Sequence, residues 1–331
     1  MTVRSRKSRA LAKVLIGALL LVLGCAPAGA RAQPFVRMEV HPIESVTLST
    51  QQVLTGNLAG RPVLIAGQLR IPKPGTDKLP AVVLVHGSGG INAGHNRWAD
   101  ELNSIGVAAF VLDSFAGRGI VSTVNDQSQL DTLAMMVDAY RALALLATHP
   151  RIDPARIAVM GFSKGAVAAV YSSNDRFRKI YAPAGVAFAA HIGLYTPCNV
   201  SYRDDDKVTG KPIRLFHGIA DDYVSIEPCR AYVARLKKVG VDVDLAEYPG
   251  AYHAYDNFTI AAPIRFPQGQ TTRNCVLREV DNGQVVNVKT SQPFSLKDSC
   301  VELGPQVAYN AAAHQATVVA VKEFLSKSLG N

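Results

Sequence analysis

The chain has 331 residues, with 35 Lys and Arg against 26 Asp and Glu and a formal net charge of +9. Six of the basic residues and none of the acidic ones fall in residues 1–32, so residues 33–331 hold 29 basic against 26 acidic, a surplus of 3. That near balance excludes the basic stripe a nucleic-acid partner requires, and 48% hydrophobic residues are enough for one large, well-covered core.

Residues 1–32 read as a secretory signal peptide. Arg4, Arg6, Lys7, Arg9 and Lys13 form a basic head, residues 14–23 are apolar, and Pro27 with Ala30-Arg31-Ala32 completes a cleavage region before Gln33. The apolar run is about half the roughly 20 residues a spanning helix needs, so no stable membrane span is expected. Val22-Leu23-Gly24-Cys25 offers a competing lipoprotein site in which Cys25 would be lipidated; cleavage after Ala32 is favoured. The expected location is periplasmic or secreted. Cys198, Cys229, Cys275 and Cys300 then remain, an even number in an oxidising compartment. Of their three possible pairings, Cys198–Cys229 and Cys275–Cys300 join neighbouring segments and are preferred over the others and over four free thiols.

Residues 35–72 read as strands that begin a sheet, antiparallel to one another at its edge. From about residue 80, short apolar runs alternate with helical segments. Strands are expected at 81–85, 108–112, 157–160, 185–190, 213–216 and 243–248. Helices are expected at 98–105, 130–148, from 166 onward, at 226–239 and at 306–329. The runs are continuously apolar rather than alternating, as in a parallel sheet covered on both faces. Residues 257–304 break the rhythm. There, apolar segments at 275–280 and 284–289 flank Asp281-Asn282-Gly283, a tight-turn signal for a β-hairpin. The economical reading is a single α/β domain over 33–331 carrying 257–304 as an insertion. The insertion is either a flap lining the substrate site or a disulfide-pinned decoration.

Three motifs carry chemistry. Gly161-Phe162-Ser163-Lys164-Gly165 sits between an apolar strand and a helix, where a sharp turn lifts a serine hydroxyl above the sheet. Serine needs a base within reach, and His253 follows the strand at 243–248 and the Pro249-Gly250 turn. The base needs an acid to fix its tautomer. Asp221 is preferred to Asp222 because His217-Gly218-x-x-Asp221-x-x-Val224 puts it in the first turn past a strand. Asp222 is then expected to face solvent or cap a helix. The order Ser, Asp, His is the one an α/β-hydrolase imposes.

The backbone N–H groups of Ser88, in His86-Gly87-Ser88-Gly89-Gly90, and of Lys164 are the candidate oxyanion donors. The bland alternatives are a helix-capping serine, a surface histidine and an N-capping aspartate. His86 and His217 are expected to brace turns, and His41, His95, His149, His191 and His314 have no matched partners in the sequence. No nucleotide loop spacing, His-Glu-x-x-His or Cys/His cluster is present, so no cofactor and no metal are expected, and Asp204-Asp205-Asp206 reads as a solvated loop.

At these residues the chain resembles the dienelactone hydrolase family of the α/β-hydrolase superfamily, from about Pro80 to His253 and again in the final helix. The resemblance is carried by Val85-His86-Gly87-Ser88-Gly89-Gly90, Leu112-Asp113-Ser114-Phe115 with Arg118-Gly119, the Ser163 turn, and Tyr248-Pro249-Gly250-Ala251-Tyr252-His253. It implies an eight-stranded, mostly parallel sheet, a triad at Ser163, Asp221 and His253, and cofactor-free hydrolysis of a small-molecule ester or lactone. The enzymes that name the family use cysteine where this chain has Ser163, and the insertion after His253 is foreign to them. The expected activity is therefore a serine hydrolase acting through an acyl-enzyme. A peptidase or acyltransferase on the same triad, or a non-catalytic exported binding protein, are the alternatives.

Overall fold

The computed structural model describes residues 1–2 and 35–330. Cys25 and most of the expected leader lie outside them. The chain opens with β1 (Arg37–Thr47), the short helix α1 (Thr50–Thr55) and β2 (Arg61–Ile71). Then follow β3 (Leu79–Val85), α2 (Ala93–Asn103), β4 (Ala108–Asp113), α3 (Thr132–Thr148), β5 (Ile152–Phe162), α4 (Lys164–Tyr171), α5 (Asp175–Tyr181) and β6 (His191–Leu194). Next come β7 (Val200–Ser201), β8 (Ile213–Gly218), α6 (Glu227–Lys238) and β9 (Val243–Tyr248). Six short strands follow: β10 (Ile264–Arg265), β11 (Gln270–Thr271), β12 (Leu277–Glu279), β13 (Val285–Asn287), β14 (Glu302–Leu303) and β15 (Gln306–Val307). The helix α7 (Ala311–Leu329) ends the described residues.

The central sheet has eight strands in the order β1-β2-β4-β3-β5-β6-β8-β9. β1 and β2 are antiparallel at one edge, β2 runs antiparallel to β4, and the pairs from β4 to β9 are parallel. This is the α/β-hydrolase architecture. Side chains alternate across the sheet: Val83, Val85 and Val159 enter one core with α3, α4 and α6, whereas Val82, Leu84 and Met160 enter the other with α2 and α7. Burial on both faces is why these strands read as unbroken apolar runs.

Three boundaries differ from the sequence reading. The strand expected at 185–190 lies at His191–Leu194. Its polar first residue hid it: the Nδ1 of buried His191 meets Ser172 Oγ at 3.1 Å and the Ala169 carbonyl at 2.9 Å. The first crossover helix starts at Ala93 rather than near Trp98, because Asn92 caps it by accepting from the Gly94 N–H. The last helix starts at Ala311 rather than 306. Asn310 caps it through the Ala313 N–H, and Gln306–Val307 instead pair with β10.

Between β9 and α7, β12 pairs antiparallel with β13, and β12 also pairs in parallel with β7. The hairpin turn uses Asn282 and Gly283 at φ of 63° and 69°, the left-handed conformation these two residue types tolerate. The hairpin is docked through Glu279, whose buried carboxylate receives both terminal nitrogens of Arg176 at 2.7 Å and the Arg203 backbone N–H at 2.8 Å.

Candidate active site

β5 ends at Phe162 and α4 begins at Lys164, leaving Ser163 alone to turn the chain, at φ 52° and ψ −118°. A non-glycine residue in that conformation is strained and must be held by its surroundings. The adjoining glycines make the turn possible. A Cβ on Gly161 would sit 2.1 Å from the Gly165 carbonyl oxygen, and one on Gly165 would sit 2.2 Å from the Val85 carbonyl oxygen.

The loops after β3, β5, β6, β8 and β9 all emerge at the carboxyl edge of the sheet, where open α/β sheets bind ligands. There His253 Nε2 lies 2.9 Å from Ser163 Oγ and His253 Nδ1 lies 2.8 Å from Asp221 Oδ2. The side chains of Asp221 and His253 are 0% and 5% exposed, which keeps the relay out of bulk water. An ionised carboxylate can only accept, so Nδ1–H donates to Asp221 and Nε2 is left to accept from the serine hydroxyl.

Asp221 is fixed from its other side as well, Oδ1 accepting from the N–H groups of Tyr223 at 2.9 Å and Val224 at 2.8 Å. Burial alone would raise its carboxyl. The facing His253 and the hydrogen bonds from His217 and His253 outweigh that and hold it well below the usual carboxylate range.

The loop carrying Gly87 and Ser88 runs against Ser163: a Cβ on Gly87 would sit 3.0 Å from the Phe162 carbonyl oxygen and 3.3 Å from Ser163 Cβ. Among the described residues neither the Ser88 nor the Lys164 N–H has an acceptor. Backbone donors left free in this way are the kind of group that an oxyanion would require. The Lys164 side chain, which had no expected role, is buried. Its ammonium donates to the Gln127 carbonyl at 3.1 Å and to Gln127 Oε1 at 3.2 Å, and burial pushes it down to about 8.

The aromatic setting of His253 was not expected. The His253 ring lies between Tyr195, 4.6 Å away, and Tyr223, 4.7 Å away. Tyr195 donates to buried Asp256 Oδ1 at 2.9 Å, and Trp98 Nε1 donates to Asp256 Oδ2 at 2.7 Å. The available signal was position, since Tyr195 directly follows β6 and Tyr223 lies two residues past Asp221.

Other expectations need correction. Asp222 neither caps a helix nor stands free: its Oδ1 accepts from the Gln306 N–H at 3.0 Å, and Arg273 donates to its backbone carbonyl. Asp205 is buried rather than solvated, with Arg235 Nη2 at 2.8 Å. His86 and His217 do brace turns, His86 Nε2 accepting from the Ser114 N–H and His217 Nε2 donating to the Val224 carbonyl. The five histidines without sequence partners have them in space.

His41 and His149 meet at Glu39 on the edge strand, with potential ligand atoms within 4.8 Å of one another. That cluster is poorly arranged for a metal. His149 Nδ1 accepts from the Arg151 N–H, which leaves its Nε2 carrying the proton that goes to Glu39. The sulfurs of Cys198 and Cys229, and of Cys275 and Cys300, lie at bonding distance, with Cα separations of 5.0 Å in both pairs.

A cavity of about 490 Å3 opens over Ser163, within the usual size range for small-molecule sites. Ser88, Gln127 and Lys164 line it beside Ser163, and residues from 270 to 296 contribute much of the rest of the wall. Among the described residues no helix is long and apolar enough to cross a membrane.

Sheet order, nucleophile turn and relay geometry define an α/β-hydrolase. The sequence matches the dienelactone hydrolase family over residues 65–265, and the chain belongs to that family. It is similar to a dienelactone hydrolase-like promiscuous phosphotriesterase from metagenomic libraries, at 15% identity and a TM-score of 0.58, over 88% of this chain and 99% of that one. It is also similar to an α/β hydrolase from a Medee basin deep-sea metagenome, at 16% identity and a TM-score of 0.51, over 89% of this chain and 99% of that one. At such identities the likeness concerns fold. Dipeptidyl peptidase family member 1 of Caenorhabditis elegans is 26% identical over 228 residues, 58% of this chain; the chain spans 28% of that relative's length.

Proposed function

We propose that the chain is an exported serine hydrolase that cleaves a carboxylic ester or lactone through an acyl-enzyme. The observation that carries this reading is the Ser163–His253–Asp221 relay, with hydrogen-bond separations of 2.9 and 2.8 Å. Ser163 Oγ attacks the carbonyl carbon as His253 Nε2 takes its proton. Charge develops on the carbonyl oxygen between the N–H groups of Ser88 and Lys164. His253 then protonates the departing alcohol, and a water that it deprotonates releases the acid. Asp221 keeps the imidazole in the required tautomer throughout. Export is supported by the leader-like residues 1–32 and by two cysteine pairs at disulfide distance, which fit an oxidising compartment. One domain over 33–331 serves this chemistry.

The test is a serine-directed fluorophosphonate followed by an ester assay. It labels Ser163 in the native chain, while Ser163→Ala abolishes labelling and cuts turnover by about 10⁴-fold or more. Unlabelled Ser163, or a Ser163→Ala variant that still turns over, refutes the assignment. Amide cleavage by the same relay is the second reading, favoured by the curated relative's name as a dipeptidyl peptidase. A dipeptide anilide hydrolysed faster than the matched ester decides for it.

A further inference from the structure

The cavity over Ser163 is chemically two-sided. Near the nucleophile it is polar, with Ser88, Gln127 and Lys164. Away from it an apolar strip runs among polar residues such as Thr50, Gln51, Asp131 and Gln284, and every apolar residue that the segment after β9 contributes to it, Leu277, Val285, Pro293, Phe294 and Leu296, falls between Cys275 and Cys300. Val167 of α4, Val200 of β7, which pairs with Leu277, and Tyr202 just past β7 also line the cavity. Phe294, Leu296 and Val285 line the cavity and are only half-buried, so they keep apolar surface that a ligand could cover.

The hairpin part of this wall is tied to the rest of the fold. One end is closed by Cys275–Cys300, β12 is hydrogen-bonded to β7, Glu279 is clamped by Arg176 and Arg203, and Gln51 of α1 donates to the Asn282 carbonyl. A pre-formed apolar surface loses little entropy when a ligand covers it. It pays back only if the ligand brings apolar area of its own.

Resting on the hydrolase reading above, we infer that the disulfide-closed loop 275–300 is a specificity cap, and that the substrate is an ester carrying a sizeable apolar group lodged between Phe294, Leu296, Val167 and Tyr202. The polar end leaves the scissile carbonyl with the oxyanion donors, while the cap receives the hydrocarbon. Each methylene added to that group raises kcat/KM by roughly fourfold until the cavity is full. Small acetate esters are then poor substrates because they leave the cap uncovered.

The test is kcat/KM for two ester series on the native chain: p-nitrophenyl esters from acetate to decanoate, and acetates of alcohols of rising length. One series rises by at least tenfold to an optimum. Phe294→Ala lowers the optimum-to-acetate ratio at least tenfold, Phe294→Trp moves the optimum to shorter chains, and Leu296→Ala reports the same if the first variant does not fold. Val276→Ala, on the same loop but 63% exposed and turned away from the cavity, leaves the ratio unchanged. A flat profile in both series, or a ratio indifferent to Phe294 and Leu296, overturns the cap while the hydrolase reading stands. No turnover of any ester together with an unlabelled Ser163 defeats both.

Discussion

The phenol ring of Tyr195 lies 4.6 Å from the imidazole of His253, inclined at 60° to it. Asp256 anchors that ring by accepting from the Tyr195 hydroxyl while also accepting from Trp98, so a carboxylate outside the relay steadies the base through an aromatic neighbour. Tyr195→Phe keeps the ring but leaves a buried carboxylate oxygen without its donor. Unfolding in urea should show a loss of about 1–3 kcal/mol, with ester turnover reduced less than about tenfold.

Asp221→Asn is the converse case. The amide is the same size, so the fold holds, but the wrong imidazole tautomer is favoured. Turnover should fall by about 10⁴-fold with an unchanged circular-dichroism spectrum. Because the Asp221 carboxyl is held well below the usual range, its contribution to stability is complete above the ordinary carboxylate range. It is lost only as pH falls through the depressed native value. Acid unfolding of the Asn variant should therefore begin from a lower stability but fall less steeply.

Lys164 gives a signed prediction at alkaline pH. Its native value of about 8 lies below the ordinary 10.5, so between these the unfolded chain binds a proton the native chain does not. Native stability should rise across that window by about 3 kcal/mol relative to Lys164→Met. Parallel stability curves for the two proteins would show that the ammonium is not buried as described.

Gly165→Ala tests the nucleophile turn. Its new methyl would meet the Val85 carbonyl oxygen at 2.2 Å, a backbone atom that cannot swing away. The variant should melt well below the wild type and lose fluorophosphonate labelling, because the strand-to-helix crossing opens.

Cys275→Ser with Cys300→Ser removes a cross-link spanning 25 residues. Loop-closure entropy puts the cost at about 3–4 kcal/mol, to be read from denaturant midpoints with the oxidised wild type as reference.

The parallel sheet was legible because two-faced burial leaves unbroken apolar runs, as at Val82 to Val85, and because the glycine-flanked Ser163 has few other uses at a strand end. Asp221 and His253 were legible as residues one short loop beyond β8 and β9. What stayed hidden depends on contacts distant in sequence. His191 reads as polar although it is buried in the core, its Nδ1 held by Ser172 and Ala169. Glu39 gathers His41 and His149 from 2 and 110 residues away. Asp256 shows its purpose only once Trp98 and Tyr195 converge on it, and the start of α7 was blurred because β15 borrows Gln306 and Val307.

Asp221 lies inside the 31-residue span joined by Cys198 and Cys229. The carboxylate thus rides on a covalent ring, one side of which adjoins β7 and the other α6. That ring limits how far the segment bearing Asp221 can part from α6, so reducing the Cys198–Cys229 pair should weaken the relay before it melts the sheet.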